Sequence, residues 1–193
     1  MRLSELTSPP TYHVPDPTVL RRVQRVRARP GSAAVGPVRM PPAGTLSGRF
    51  DLSSEVTGYF AASTTTAVLE SIARREAHEV SMALIGTRLE LVVHTTSPLL
   101  LLDLRPFATK WPVLQSLRWS ETQELAADAL AAGFQGIVYR SAQHYGQDCF
   151  ALFGGAMTGL RLLQKFPLVD PLTGRLHRAV HEALTHAKLP LTP

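Results

Sequence analysis

Residues 99–104 read Leu-Leu-Leu-Leu-Asp-Leu, apolar on both faces of an extended chain. The run is far short of the roughly 18 residues a membrane-spanning helix needs, and it has the length of a strand. A strand with two apolar faces must be covered on both sides, so it belongs in the middle of a sheet. The chain is therefore expected to build a sheet between packing layers.

The other segments fit that frame. Val19 to Val26 places Val19, Arg21, Val23 and Arg25 at every second position, which predicts a short strand with one polar face. Residues 1–18, with four prolines, read as a loose lead-in, and Pro30 to Ser47 as a long loop. Gly58 to Ala61 predicts a strand end, and Ser63 an N-cap for a helix running to about Glu79. Arg88 to Thr95 predicts another strand. Ser120-Glu121-Thr122-Gln123 matches a capping box and Gly133 a helix stop, which together predict a helix over 121–132. Gly136 to Ser141 and Cys149 to Phe153 are expected to pair across the turn 144–148. A last amphipathic helix is expected over 174–187. Strands outnumber helices without βαβ alternation, so the class is α+β. The expected organisation is a flexible lead-in (1–18), a main domain (19–156) and a C-terminal extension (157–193).

Composition narrows the function classes. Of 193 residues, 45% are hydrophobic and 18% charged, as in a soluble globular protein. No segment resembles a signal peptide or a spanning helix, so no membrane association and a cytoplasmic location are expected. Cys149 is the single cysteine, which excludes an intrachain disulfide and a cysteine-based metal cluster. His177 and His181 stand four apart on the expected last helix, but no third ligand accompanies them and no metal is expected. A Cys149–His144 nucleophile pair is conceivable; a buried strand cysteine is the blander reading. The net charge of +5 invites nucleic acid as a partner, yet Arg21, Arg22, Arg25, Arg27, Arg29 and Arg39 are concentrated before Arg49. Aromatics do not interleave with them, and no helix-turn-helix or zinc-finger spacing is present. There is no Gly-x-Gly-x-x-Gly or Walker loop either.

Four polar residues remain in settings that suggest a pocket: Arg49, Tyr59, Glu70 and Ser141. Each has an ordinary structural reading. Glu70 could pair with Arg74 one turn on. Arg49 could be a loop arginine, Tyr59 a strand aromatic and Ser141 a polar strand terminus. Together they supply a phosphate fork, a stacking ring, a carboxylate and a hydroxyl.

The segments Gly48-Arg49-Phe50, Gly58-Tyr59-Phe60-Ala61-Ala62-Ser63 with Ala67-Val68-Leu69-Glu70, and Gly136-Ile137-Val138-Tyr139-Arg140-Ser141 resemble the RES domain. Leu20-Arg21-Arg22-Val23 looks like that family's opening strand, with Arg22 as its arginine. Gly146 to Phe153 is similar to the closing strand. In the family's order the resemblance spans about residues 19–153. Two features depart from it: Arg21 stands where the family often has an aromatic, and neither the 30–47 loop nor the tail after about 157 matches a motif.

The resemblance implies an ADP-ribosyltransferase-like fold of mixed sheets with flanking helices. It implies an NAD-consuming toxin of the Xre–RES toxin–antitoxin type. Glu70, Ser141 and Arg49 would be catalytic, and Arg22, Arg49, Tyr59 and Ser141 would bind NAD. NAD would be substrate, with phosphate as an optional co-substrate and no resident cofactor. Phosphorolysis, hydrolysis and ADP-ribosyl transfer all begin with cleavage of the nicotinamide–ribose bond. The implied partner is a cognate antitoxin, an Xre-like helix-turn-helix protein through which any nucleic acid would be reached, and a homo-oligomer is conceivable. The rival reading is a non-catalytic binding module acting through the basic N-terminal arm.

Overall fold

Successive residues of a strand point to opposite faces of a sheet, so the alternation in each strand decides which layer it feeds. The computed structural model describes residues 3, 8–74, 76–111 and 119–193. Its strands are β1 (Thr11–Val14), β2 (Val19–Arg25), β3 (Ala33–Val35), β4 (Val38–Met40), β5 (Thr57–Ala61) and β6 (Val80–Ser81). There follow β7 (Arg88–Thr95), β8 (Leu99–Asp103), β9 (Gly136–Arg140), β10 (Asp148–Phe153), β11 (Leu160–Pro167) and β12 (Leu191–Thr192). The helices are α1 (Thr64–Ser71), α2 (Met82–Gly86), α3 (Ser120–Ala131), α4 (Gly154–Met157) and α5 (Arg178–Ala187).

Eight strands form one sheet in the order β1-β8-β9-β10-β5-β2-β7-β11. Only β8 and β9 run parallel within it; the other neighbours are antiparallel. β3 and β4 form a separate hairpin, and β6 pairs with β12. On one face, Ile137, Tyr139, Cys149, Ala151 and Phe153 pack with Val68 and Leu69 of α1, Leu125 and Ala129 of α3, and Val180 and Ala183 of α5. On the other, Val138, Phe150, Leu152, Leu20 and Val93 meet Val38 and Met40 of the hairpin and Met157 of α4. Leu102 belongs to the first layer and Leu101 to the second, so β8 is apolar on both faces and has a strand on either side. The α+β class and the paired β9–β10 strands are as expected.

Several expectations are corrected. The lead-in supplies a strand: β1 pairs with β8 from Thr11↔Leu102 to Val14↔Leu99, and Val14 is buried. The 30–47 segment is no plain loop, because Gly36 takes a positive φ of 55° and closes the β3–β4 hairpin. The helix capped by Ser63 ends at Ser71, well before Glu79. The Ser71 hydroxyl donates to the Ala67 carbonyl (2.7 Å), and the N–H groups of Ile72 and Ala73 both end on Val68, which closes the helical ladder. In α3 the N-cap is Trp119, which makes no side-chain cap hydrogen bond, so Ser120 lies within the first turn and the expected capping box does not form. At the other end Gly133 has φ 88°; its N–H and that of Phe134 bond to Leu130 and Ala129, a Schellman stop. The last helix starts at Arg178 instead of 174, capped by the His177 ring, which accepts from the Ala179 N–H. In the tail, β11 extends the sheet along β7.

Candidate active site

β2 and β5 pair at a single position, Arg21 opposite Ala61, so the sheet forks there. A cavity of about 230 Å³ opens in the fork. Its walls include Arg22 from β2, Arg49 from the loop before β5, Tyr59 from β5, Glu70 from α1, Tyr139 from β9 and Cys149 from β10.

Arg49 is held by its backbone and left free at its head. The Tyr59 hydroxyl donates to Asp51 Oδ1 (2.9 Å) and accepts from the Phe50 N–H (2.8 Å), and the Gly48 N–H donates to Asp51 Oδ2 (2.7 Å). From α3, Thr122 Oγ1 donates to the Arg49 carbonyl (2.6 Å) and Gln123 Nε2 to that of Gly48 (2.9 Å). A Cβ at Gly48 would come within 2.6 Å of both Asp51 Oδ1 and the Tyr59 hydroxyl oxygen, so only glycine lets the loop close this tightly. The Arg49 guanidinium lies 5.9 Å from the centre of the Tyr139 ring. Its Nε and Nη1 are buried and have no hydrogen-bond partner among the described residues. A buried donor left unpaired costs about 1–3 kcal/mol. Guanidinium donors left unsatisfied in this way favour an oxyanion ligand.

Glu70 is fixed from the opposite side. The Ser141 hydroxyl donates to Glu70 Oε1 (2.5 Å), and the Gln143 N–H approaches the same oxygen (3.3 Å). Arg74 does not take Glu70 as its i,i+4 partner; it reaches Glu76 instead (3.5 Å). Ser141 is buried behind Glu70 and does not line the cavity, so its hydroxyl acts on the carboxylate.

Arg22 is engaged differently from Arg49. Its Nη1 donates to the Tyr59 carbonyl (2.8 Å) and its Nη2 to the Arg39 carbonyl (2.9 Å), leaving a buried Nε with no partner among the described residues. Burial lowers its pKa to about 10, so it stays charged at neutral pH. Arg21 turns to the buried carboxylate of Glu90, 3.5 Å away, which also accepts from Thr64 Oγ1 at 2.6 Å.

Two cavity residues escape a reading of the polar positions alone. Tyr139 stands two positions before Ser141, so the period-2 rule places it on the same face; it packs against Phe50 with ring centres 4.9 Å apart. Trp119 also lines the cavity and buries an indole N–H that has no partner among the described residues. Cys149 faces the cavity, but burial and then Glu70 push its thiol well up, which opposes thiolate chemistry. His144 bonds to Thr66 Oγ1 (2.8 Å) and packs on His186, so the conceivable Cys149–His144 pair does not form. Among the described residues, no group of three or more His, Cys, Asp or Glu could hold a metal ion, and no helix is long and apolar enough to cross a membrane.

The chain belongs to the RES domain family, whose model matches residues 20–169. Among solved structures it is similar to the M. tuberculosis MbcT–MbcA toxin–antitoxin complex, with a TM-score of 0.60 and 17% identity. That match covers 79% of this chain and 84% of the other. That likeness is one of fold, and it agrees with the α+β class. No curated protein matches the sequence at a significant level.

The close packing around Gly48 makes a direct prediction. Gly48→Ala must displace Asp51 or Tyr59 and is expected to destabilise the chain by about 1–3 kcal/mol, as overpacking does. Urea unfolding reads this as a lower midpoint; an unchanged midpoint would show that the loop is not locked.

Proposed function

We propose that this chain is a toxin that cleaves the nicotinamide–ribose bond of NAD. One observation carries the reading: a single cavity is lined by an arginine with two buried nitrogens unpartnered among the described residues and by a carboxylate fixed by a serine. The arginine suits a pyrophosphate, because a guanidinium fork meets two phosphate oxygens at once. The carboxylate suits the reacting ribose. As the C1′–N bond breaks, its electron pair leaves with nicotinamide and positive charge develops on the sugar; Glu70 stabilises that charge. Ser141 contributes by holding Glu70, a positioning role. Tyr59 presents its ring to the cavity while its hydroxyl is spent on Asp51 and Phe50, leaving the ring for stacking on the nicotinamide or ribose.

The acceptor that completes the reaction is water for hydrolysis, phosphate for phosphorolysis, or a protein nucleophile for ADP-ribosyl transfer. All three share the first cleavage, and none needs a covalent nucleophile from this chain. Glu70→Gln is expected to preserve the fold and to slow nicotinamide release on the order of 10²-fold or more, the loss typical of a missing transition-state contact. Nicotinamide release from NAD, followed with and without added phosphate, checks this. Retention of more than half the parent rate would remove Glu70 from the chemistry.

A chain that consumes NAD endangers the cell that makes it. The similar solved structure is a toxin–antitoxin complex, which supports an antitoxin partner here as well. The proposed partner is an Xre-like helix-turn-helix protein that covers the cavity, and nucleic acid would be reached only through it. Expression of the chain alone in a bacterium is expected to arrest growth, with relief on co-expression of the adjacent reading frame. Normal growth at high levels of soluble chain would favour a binding module acting through the basic arm.

A further inference from the structure

We infer that the cavity continues into a second anion site, and that the chain prefers a dinucleotide carrying an additional phosphomonoester on its adenosine half, such as NADP, over NAD. The inference rests on the NAD-cleaving reading above and names its substrate class.

A second cavity of about 440 Å³ adjoins the first, and Arg22, Val23, Pro41 and Ser47 line both. Six arginines line it, namely Arg22, Arg25, Arg27, Arg29, Arg39 and Arg88, and no Asp or Glu does. None of the six forms an ion pair among the described residues. Two tether backbone: Arg22 bonds to the Tyr59 and Arg39 carbonyls, and Arg39 Nη1 donates to the Val26 carbonyl (3.0 Å). The Nε atoms of Arg22 and Arg88 are buried without a hydrogen-bond partner among the described residues. Burial lowers the Arg88 pKa, and Arg25 and Arg29 lower it further by repulsion, as expected where like charges gather without a counter-ion.

Size and charge then point to the ligand. At about 230 Å³, the first cavity is below the roughly 300–1,000 Å³ of pockets that bury drug-sized ligands, so a dinucleotide must reach beyond it. Glu70 and Arg49 line only the first cavity, which places the reacting end there and directs the adenosine half into the second. A pyrophosphate is matched by Arg49, with the charge of the carbonyl-tethered Arg22 close by at the boundary. The heads of Arg25, Arg27, Arg29 and Arg88 exceed that need, and a phosphomonoester, close to a dianion at pH 7, is the group that uses them. Their forked donors suit it better than a point charge would.

The test measures kcat/KM for NADP and for NAD at one ionic strength, in the parent chain, in Arg88→Gln and in the double variant Arg27→Gln, Arg29→Gln. Arg27 and Arg29 are exposed, so the double variant is expected to fold. NADP is expected to be preferred by about tenfold or more in the parent, the return of one charge-assisted phosphate contact, with the ratio falling toward one in both variants. A parent ratio of one or less, with NAD consumed, overturns the second site while leaving the bond cleavage intact. If neither dinucleotide is consumed, the cleavage reading fails by itself. Calorimetric binding of the two to Glu70→Gln then decides the second site separately, and equal affinities overturn it. Displacement of NADP by a short single-stranded oligonucleotide of higher affinity would also overturn it, by assigning the basin to nucleic acid.

Discussion

The hydrogen bond from Ser141 to Glu70 is the contact on which the site depends. The Ser141 oxygen already accepts from the N–H groups of Gln143 and His144, at 3.1 and 2.8 Å. Its own proton therefore has one direction left, toward Glu70. The turn that presents these two N–H groups is held at its base: Asp148 bridges Arg105 and Arg140, and Arg140 also donates to the Gly146 carbonyl. Arg105 pairs in turn with Asp103 at the end of β8. A carboxylate on a short helix is thus fixed by a turn some seventy residues away in sequence.

Arg49 is organised on the opposite principle. Its peptide segment donates to Tyr59 and accepts from Thr122 and Gln123, while its guanidinium keeps two buried donors without an acceptor among the described residues. The fold bears the cost of those donors in the free chain, and a bound anion would recover it. That asymmetry separates a binding arginine from a structural one. Arg22 shows the contrast, with both of its terminal nitrogens committed to carbonyls.

Much of this arrangement was legible in the sequence because strand period and helix caps are local signals. The two apolar faces of residues 99–104 required an interior strand, and the Gly136–Ser141 and Cys149–Phe153 runs required a pair. Arg49, Tyr59, Glu70 and Ser141 were identified as residue types but not as partners. That Tyr59 locks the loop of Arg49, or that Ser141 serves Glu70 and not the cavity, depends on contacts that local patterning does not encode. β1 was hidden by flanking prolines, and the β3–β4 hairpin by a loop-like composition whose one decisive residue is Gly36. In the sequence the arginines of the second cavity appear only as a basic N-terminal arm, because only the folded hairpin brings Arg39 beside Arg25, Arg29 and Arg88.

The central claim is that Arg49 and Glu70 act on one ligand. A crystal structure of Glu70→Gln soaked with NAD tests it most directly, because the variant is expected to bind without turnover. The account predicts pyrophosphate oxygens within hydrogen-bond distance of the Arg49 guanidinium, and the nicotinamide ribose facing residue 70. A dinucleotide bound away from Arg49, or no binding at saturating concentration, would contradict it.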